Sequence, residues 1–325
     1  KKGLQAIIAN SGCANACVKD GLKDARKMSE LAARALNVNP TNVGVASKGI
    51  IGRRIDIEKI GILVEKASKM LSKNPKESLN AAKAIMTTDT RPKQVSVEFK
   101  GIEVGGMCKG AGMIAPDMAT MLCFITTNAN LTREQLQKAL ERSVDRSFNM
   151  TLVDGDMSTH DTVLLLSSGR KKCDARTFQR LLDYVTIKLA KMIAQDGEGA
   201  SKYLEIEIVG ARDGISAAKA ARAIASSPLV KTAFYGETPN WGRIISRIGS
   251  SIRIKPMNTT ITFKSRRGRV NVFDRGALGN LEKARDVLKE KEIEITINLR
   301  LGRASAKAFT CDLTEEYVRV NAGYN

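Results

Sequence analysis

GGMCKGAGMIAPDMATMLCFITT, residues 105–127, decides how the chain reads. Four glycines fall in its first eight residues, and an apolar, β-prone run closes it. Gly105 to Pro116 is expected to be loop and Met121 to Thr127 a strand. A phosphate-binding loop would close on Gly-Lys-Ser/Thr and open a helix. Here Lys109 precedes Gly110-Ala111 and a strand follows, so the glycines read as room for close backbone approach near a reacting centre. Thr120 precedes the strand, where β propensity alone accounts for a threonine. It has a second reading. His160 is the only histidine, so a Ser-His-Asp or Cys-His device has one possible base. A threonine whose own α-amine is free needs none, because the amine can take the hydroxyl proton. That requires cleavage of Ala119–Thr120 by hydroxyl attack on the preceding carbonyl, in a tightly held peptide with donors for the oxyanion.

On the N-terminal side, Leu4 to Ala9 and Asn42 to Ser47 read as short strands. Asp20 to Leu36, Asp56 to Leu71 and Pro75 to Met86 carry helical spacing. Gln94 to Val104 reads as a hairpin turning at Gly101. On the C-terminal side, Thr132 opens a helix to Val144 with a capping box to Gln135. Val163 to Leu166 is a short strand with a turn at Ser167 to Arg170, and Ala175 to Ala194 is a long helix. Tyr203 to Val209 alternates as a half-exposed strand with Glu205 and Glu207 on one side. Ala217 to Ala225 and Leu281 to Lys289 are helical, and Ile252 to Phe263, Val270 to Phe273 and Glu292 to Leu299 are strands. The mixture has no regular βαβ beat and predicts an α+β fold, helices covering sheets.

The chain has 325 residues, 43% hydrophobic but only 4% aromatic, so small aliphatic side chains must fill its core. Its formal net charge is +19. Lys and Arg are spread along the chain and stacking aromatics are scarce, which points to a solvated basic surface and against a specific nucleic-acid site. The six cysteines lack paired C-x-x-C spacing, so neither a zinc site nor a disulfide framework is expected. No run of 18 apolar residues marks a membrane span. Asp154-Gly-Asp-Met-Ser-Thr-His-Asp161 reads as a polar turn with His160 exposed. As a calcium loop it fails, because Leu166 stands where the bidentate Glu would be.

Along these segments the chain resembles the ornithine acetyltransferase family, the ArgJ-type glutamate N-acetyltransferases. The matching segments are Asn10-Ser-Gly-Cys-Ala-Asn-Ala16, Ala46-Ser-Lys-Gly-Ile-Ile-Gly52, Thr87-Thr-Asp-Thr90, Lys109 to Leu122, Val153-Asp-Gly-Asp156, Asp161-Thr162, Asp196-Gly-Glu-Gly199, Pro239-Asn-Trp-Gly-Arg243 and Cys311-Asp-Leu-Thr314. They run in order along nearly the whole chain. The resemblance implies a layered αββα-type sandwich, cut before Thr120 into an α chain, 1–119, and a β chain, 120–325, assembled as α2β2. It implies transfer of an acetyl group from N-acetylornithine to Thr120 and then to glutamate, in arginine biosynthesis. No metal or prosthetic group is implied, although some members accept acetyl-CoA as donor. Substrate contacts carry over onto Thr87, Lys109, Thr120, Glu198 and Asn321. Lys109 suits a carboxylate and Glu198 a cationic end.

Four departures qualify the likeness. The family's oxyanion hole, a Thr followed by Gly, falls on Lys48 and Gly49. Lys48 lacks a compact hydroxyl, though its ammonium can reach an oxyanion. The family's C-terminal substrate-binding Thr has no counterpart after Asn321-Ala-Gly-Tyr-Asn325, and its first several dozen residues have none before Lys1. Cys13 and Asp117 stand where Asn is usual. Two other readings therefore stay open: an acyltransferase or amidase of different specificity with the same N-terminal nucleophile, or an inactive basic scaffold. Cytoplasm is the expected compartment, with an organelle matrix as the alternative.

Overall fold

The computed structural model describes residues 3–115 and 121–323. Asp117 and the Ala119–Thr120 bond lie outside the described residues. Strands β1 (Ala6–Asn10) and β2 (Val43–Ser47) pair in parallel, joined through α1 (Gly21–Leu36). Helix α1 buries Met28, Ala32 and Ala33, spaced as one helical stripe requires. Helix α2 (Ile57–Lys69) starts where the Asp56 carboxylate accepts the Lys59 N–H. Helix α3 (Pro75–Ala84) has Pro75 in its first turn and an Asn74 cap.

Strands β3 (Lys93–Phe99), β4 (Ile102–Lys109), β5 (Leu122–Asn130) and β6 (Thr162–Lys172) form a second sheet in that order, antiparallel except for the parallel β5–β6 pair. The expected loop at 105–109 is strand: Gly105 pairs with Thr126 and Gly106 with Ile125. The ladder asks only for backbone groups there, so glycine content misled. The turn expected at Ser167 to Arg170 is strand as well. A register slip opposite, between Thr127 and Ala129, absorbs the irregularity and β6 runs on to Lys172. Helix α4 (Arg133–Arg146) carries the expected Thr132–Gln135 capping box. Helix α5 (Ala175–Gln195) packs against β3, β4 and the last strand of the third sheet.

That third sheet contains β7 (Tyr203–Ala211), β8 (Thr260–Ser265), β9 (Gly268–Asp274), β10 (Ala277–Leu278), β11 (Glu292–Asn298) and β12 (Ala304–Cys311), in the order β10-β9-β8-β11-β7-β12. Its helices are α6 (Gly214–Ala225), α7 (Pro228–Tyr235), α8 (Trp241–Gly249), α9 (Leu281–Leu288) and α10 (Glu315–Ala322). The strand expected from Ile252 begins only at Thr260, because Pro256 opens a 3-10 turn instead. Glu205, expected half-exposed, is buried, where Lys191 and Lys307 reach its carboxylate at 2.6 and 2.9 Å.

One core lies on the six-stranded sheet and another between the four-stranded sheet, α4 and α5. A small third core (Ala46, Ile85, Leu122 and Phe124) seats β2 against β5. It brings the ends of β2, β4 and α3 to one place.

Candidate active site

Lys109, the last residue of β4, pairs with Leu122, the first of β5. Residues 110–121 are therefore the connection between two adjacent antiparallel strands. Leu122 pairs in turn with Thr162, whose N–H donates to the Met121 carbonyl at 3.0 Å. Around this corner stand Lys48 and Gly49 after β2, Thr87 after α3, Glu198 after α5, and Asn321 on α10.

Lys109 is buried, and its ammonium donates to the Thr87 hydroxyl at 2.5 Å. Two residues expected to contact substrate are thus in direct contact with each other. Asp89 lies 3.9 Å from the Lys109 ammonium. Asp89 Oδ1 also accepts from Lys93 at 2.6 Å and from the Gly110 N–H at 2.7 Å. Lys93, fully buried, donates to Asp196 as well, at 2.5 Å. Asp196 in turn receives both the N–H and the hydroxyl of Thr90. Burial raises the Asp89 carboxyl, but Lys93, Lys109 and the Gly110 amide outweigh it and hold the group below its usual range. Burial brings Lys109 down to about 8, with Asp89 opposing the shift and Lys48 and Lys93 adding to it. A lysine whose only ion-pair carboxylate among the described residues is 3.9 Å away and already serves Lys93 keeps charge to offer an incoming carboxylate.

Glu198 and Asn321 form a second bonded pair, with the Asn321 amide donating to Glu198 Oε2 at 2.9 Å. The Glu198 N–H donates to the Ala111 carbonyl at 3.0 Å. The Glu198 carboxylate lies against Gly112, where a side-chain carbon would sit 2.2 Å from Oε2. Close approach to backbone, the use expected of the glycine-rich stretch, occurs here between the Glu198 carboxylate and Gly112.

Asp154 was read as part of a polar turn. Its carboxylate instead accepts the N–H groups of Met113 at 2.6 Å and Ile114 at 2.9 Å, while the Val153 N–H donates to the Ile114 carbonyl at 2.7 Å. Asp154 thus clamps the β4–β5 connection just before residues 116–120. Burial raises its carboxyl, against the pull of those amides. Sequence reasoning gave no role of their own to Asp89, Lys93, Asp154, Asp161 and Asp196. Four lie inside the matched segments, but only pairing in space shows what they hold.

Lys48 is buried, with its ammonium 2.5 Å from the Ser158 hydroxyl and 3.6 Å from Asp161 Oδ1. Burial lowers it, and Asp161 opposes that shift. Gly49 has φ +137°, and a side-chain carbon there would sit 2.2 Å from the Gly12 carbonyl carbon. Only glycine fits against that neighbouring backbone, in the bend that follows β1. His160, expected exposed, is half-buried, and its Nδ1 contacts the Thr159 hydroxyl. Burial first and the Lys48 charge second lower its pKa, which keeps the imidazole neutral near pH 7.

Comparison with known proteins gives this corner a context. The ArgJ family profile matches residues 1–325. The chain belongs to the ArgJ family. It is 44% identical to the glutamate N-acetyltransferase of Methanocaldococcus jannaschii, over 99% of this chain and 84% of that one. The arginine biosynthesis bifunctional protein ArgJ of Thermotoga neapolitana is also 44% identical, with the same coverage. The crystal structure of the arginine biosynthesis bifunctional protein argJ from Bacillus halodurans aligns at a TM-score of 0.57 and 38% identity, over 62% of this chain and 98% of that one. The mixed α/β architecture is therefore an ArgJ architecture. Among the described residues, no helix is long and apolar enough to cross a membrane.

Proposed function

We propose that this protein transfers an acetyl group from N-acetylornithine to glutamate, a step of arginine biosynthesis, with Thr120 as nucleophile after cleavage of Ala119–Thr120. The observation that carries the reading is the convergence of four side chains. Thr87 with Lys109, and Glu198 with Asn321, form two bonded pairs, the first at the start of the connection that contains Thr120 and the second against Ala111 and Gly112 within it. The relative from Methanocaldococcus jannaschii is named a glutamate N-acetyltransferase, which supports the reaction class.

In this reading the chain is two polypeptides, 1–119 and 120–325, in the family's layered αββα arrangement and assembled as α2β2. Lys109 and Thr87 take the substrate carboxylate, and Glu198, oriented by Asn321, takes its cationic end. The Thr120 α-amine accepts the hydroxyl proton as Oγ bonds to the acetyl carbon. The oxyanion faces the Gly49 N–H and the Lys48 ammonium. The C–N bond breaks and ornithine leaves with the proton on its amine. The glutamate amine then attacks acetyl-Thr120 and regenerates the hydroxyl. Acetyl-CoA is a second donor for the same acyl-enzyme, and the cytoplasm is the proposed compartment.

The test is incubation with N-acetylornithine and glutamate. The account expects ornithine and N-acetylglutamate in equal amounts, and neither from Thr120→Ala. Transfer that survives Thr120→Ala would remove Thr120 as nucleophile.

A further inference from the structure

Asp161 is the one buried carboxylate at this corner that nothing above uses. Its side chain is 4% exposed. Neither oxygen accepts a hydrogen bond among the described residues. A buried acceptor left open is destabilising, and in a native structure it calls for a role such as service at a site. The Asp161 carboxylate faces the Met121 amide, adjacent in sequence to Thr120, and the Lys48 ammonium 3.6 Å away. The Lys48 ammonium has three donors. One goes to Ser158 and one faces Asp161, and among the described residues nothing takes the third, which can meet an incoming oxygen.

We infer that Asp161 is a positioning residue, holding the Lys48 ammonium charged and aimed so that a lysine does the work of the family's oxyanion-hole hydroxyl. The inference rests on the acetyl-transfer reading for its kinetic consequences but not for the pairing itself. Removing the Asp161 carboxylate leaves Lys48 buried with only a neutral hydroxyl, and burial then favours the uncharged amine. Among the described residues, the other charged or titratable groups facing the pair are Lys109, from the end of β4, and His160, on the same loop as Asp161. Burial raises the Asp161 carboxyl to about 7, with Lys48, the Met121 amide and Lys109 opposing. The pair therefore gains its full charge only as the pH rises through neutrality.

Two measurements on the full chain test this. In the first, NMR of protein carrying 13Cε-lysine follows the Lys48 resonance with pH, assigned by its loss in Lys48→Met. Asp161→Asn should lower the Lys48 midpoint by about one pH unit or more, and an unchanged midpoint overturns the inference. This readout needs no activity, so it stands even if N-acetylornithine proves not to be the donor. In the second, Asp161→Asn should cut kcat for transfer roughly 10- to 100-fold with KM within about 2-fold, and abolish the rise in kcat near pH 7. Asp161→Glu should restore part of it. Added to Lys48→Met, Asp161→Asn should change kcat less than about 2-fold, because its effect runs through Lys48. Fully multiplicative losses would instead give Asp161 an effect independent of Lys48 and overturn the inference.

Discussion

At the scale of single residues, the site is an arrangement of buried charges with few spare partners. Lys93 carries the most structural weight, as a fully buried ammonium shared by Asp89 and Asp196. Lys93→Met leaves two buried carboxylates with their main cation gone. It should destabilise the protein by about 3–5 kcal/mol in urea unfolding, and a change under about 1 kcal/mol would mean Lys109 and Thr90 suffice. Lys109 gives a pH prediction with a definite sign. Burial holds it down to about 8, so the protonated form that binds a carboxylate is lost as the pH rises through that value. KM for glutamate should be flat below pH 8 and climb above it, and Lys109→Met should raise KM at every pH. Gly112→Ala places a methyl 2.2 Å from the Glu198 carboxylate. It should displace Glu198 and reduce transfer while leaving the sheets intact, checked by kcat/KM beside far-UV circular dichroism. These roles were only partly legible in the sequence. Lys109, Thr87, Glu198 and Asn321 came through resemblance of short motifs. Asp154, Asp161 and Asp196 gained roles only in space, since partners 40 to over 100 residues apart leave no local spacing to read, and the Asp89–Lys93 pair, four residues apart, gained its role only with Asp196 beside it.

At the scale of elements, the sheet gives a reason why the chain would stay whole after the proposed cut. The β4–β5 ladder runs from Val104 opposite Thr127 to Lys109 opposite Leu122. A break in the 110–121 connection leaves that ladder in place and both chains in one core with α5. The two polypeptides should therefore co-elute in gel filtration without denaturant and separate only in urea. Separation under native conditions would contradict the shared sheet. Periodicity and capping made most of these elements legible: α1, α2, α4 and α5 lie within a few residues of expectation. The misses have physical causes. Gly105 and Gly106 read as loop because a strand needs no side chain to keep its ladder. Helices α7 and α8, eight and nine residues long, were not read from the sequence, and they start at the Ser227 and Asn240 caps.

At the scale of the whole molecule, the +19 charge is the feature least tied to the site. Charge spread over a surface binds polyanions weakly and yields to salt. DNA binding at low ionic strength should largely vanish by about 150 mM salt, as a fluorescence-anisotropy titration would show. Affinity that persists at that salt would point to a basic site of its own. In the proposed mechanism the acetyl transfer depends on cleavage of a single bond, Ala119–Thr120. Intact-mass spectrometry of the purified protein tests it most directly. The account predicts two polypeptides, ending at Ala119 and beginning at Thr120, whose masses sum to the chain plus one water. A single uncleaved species of 35.3 kDa would contradict it.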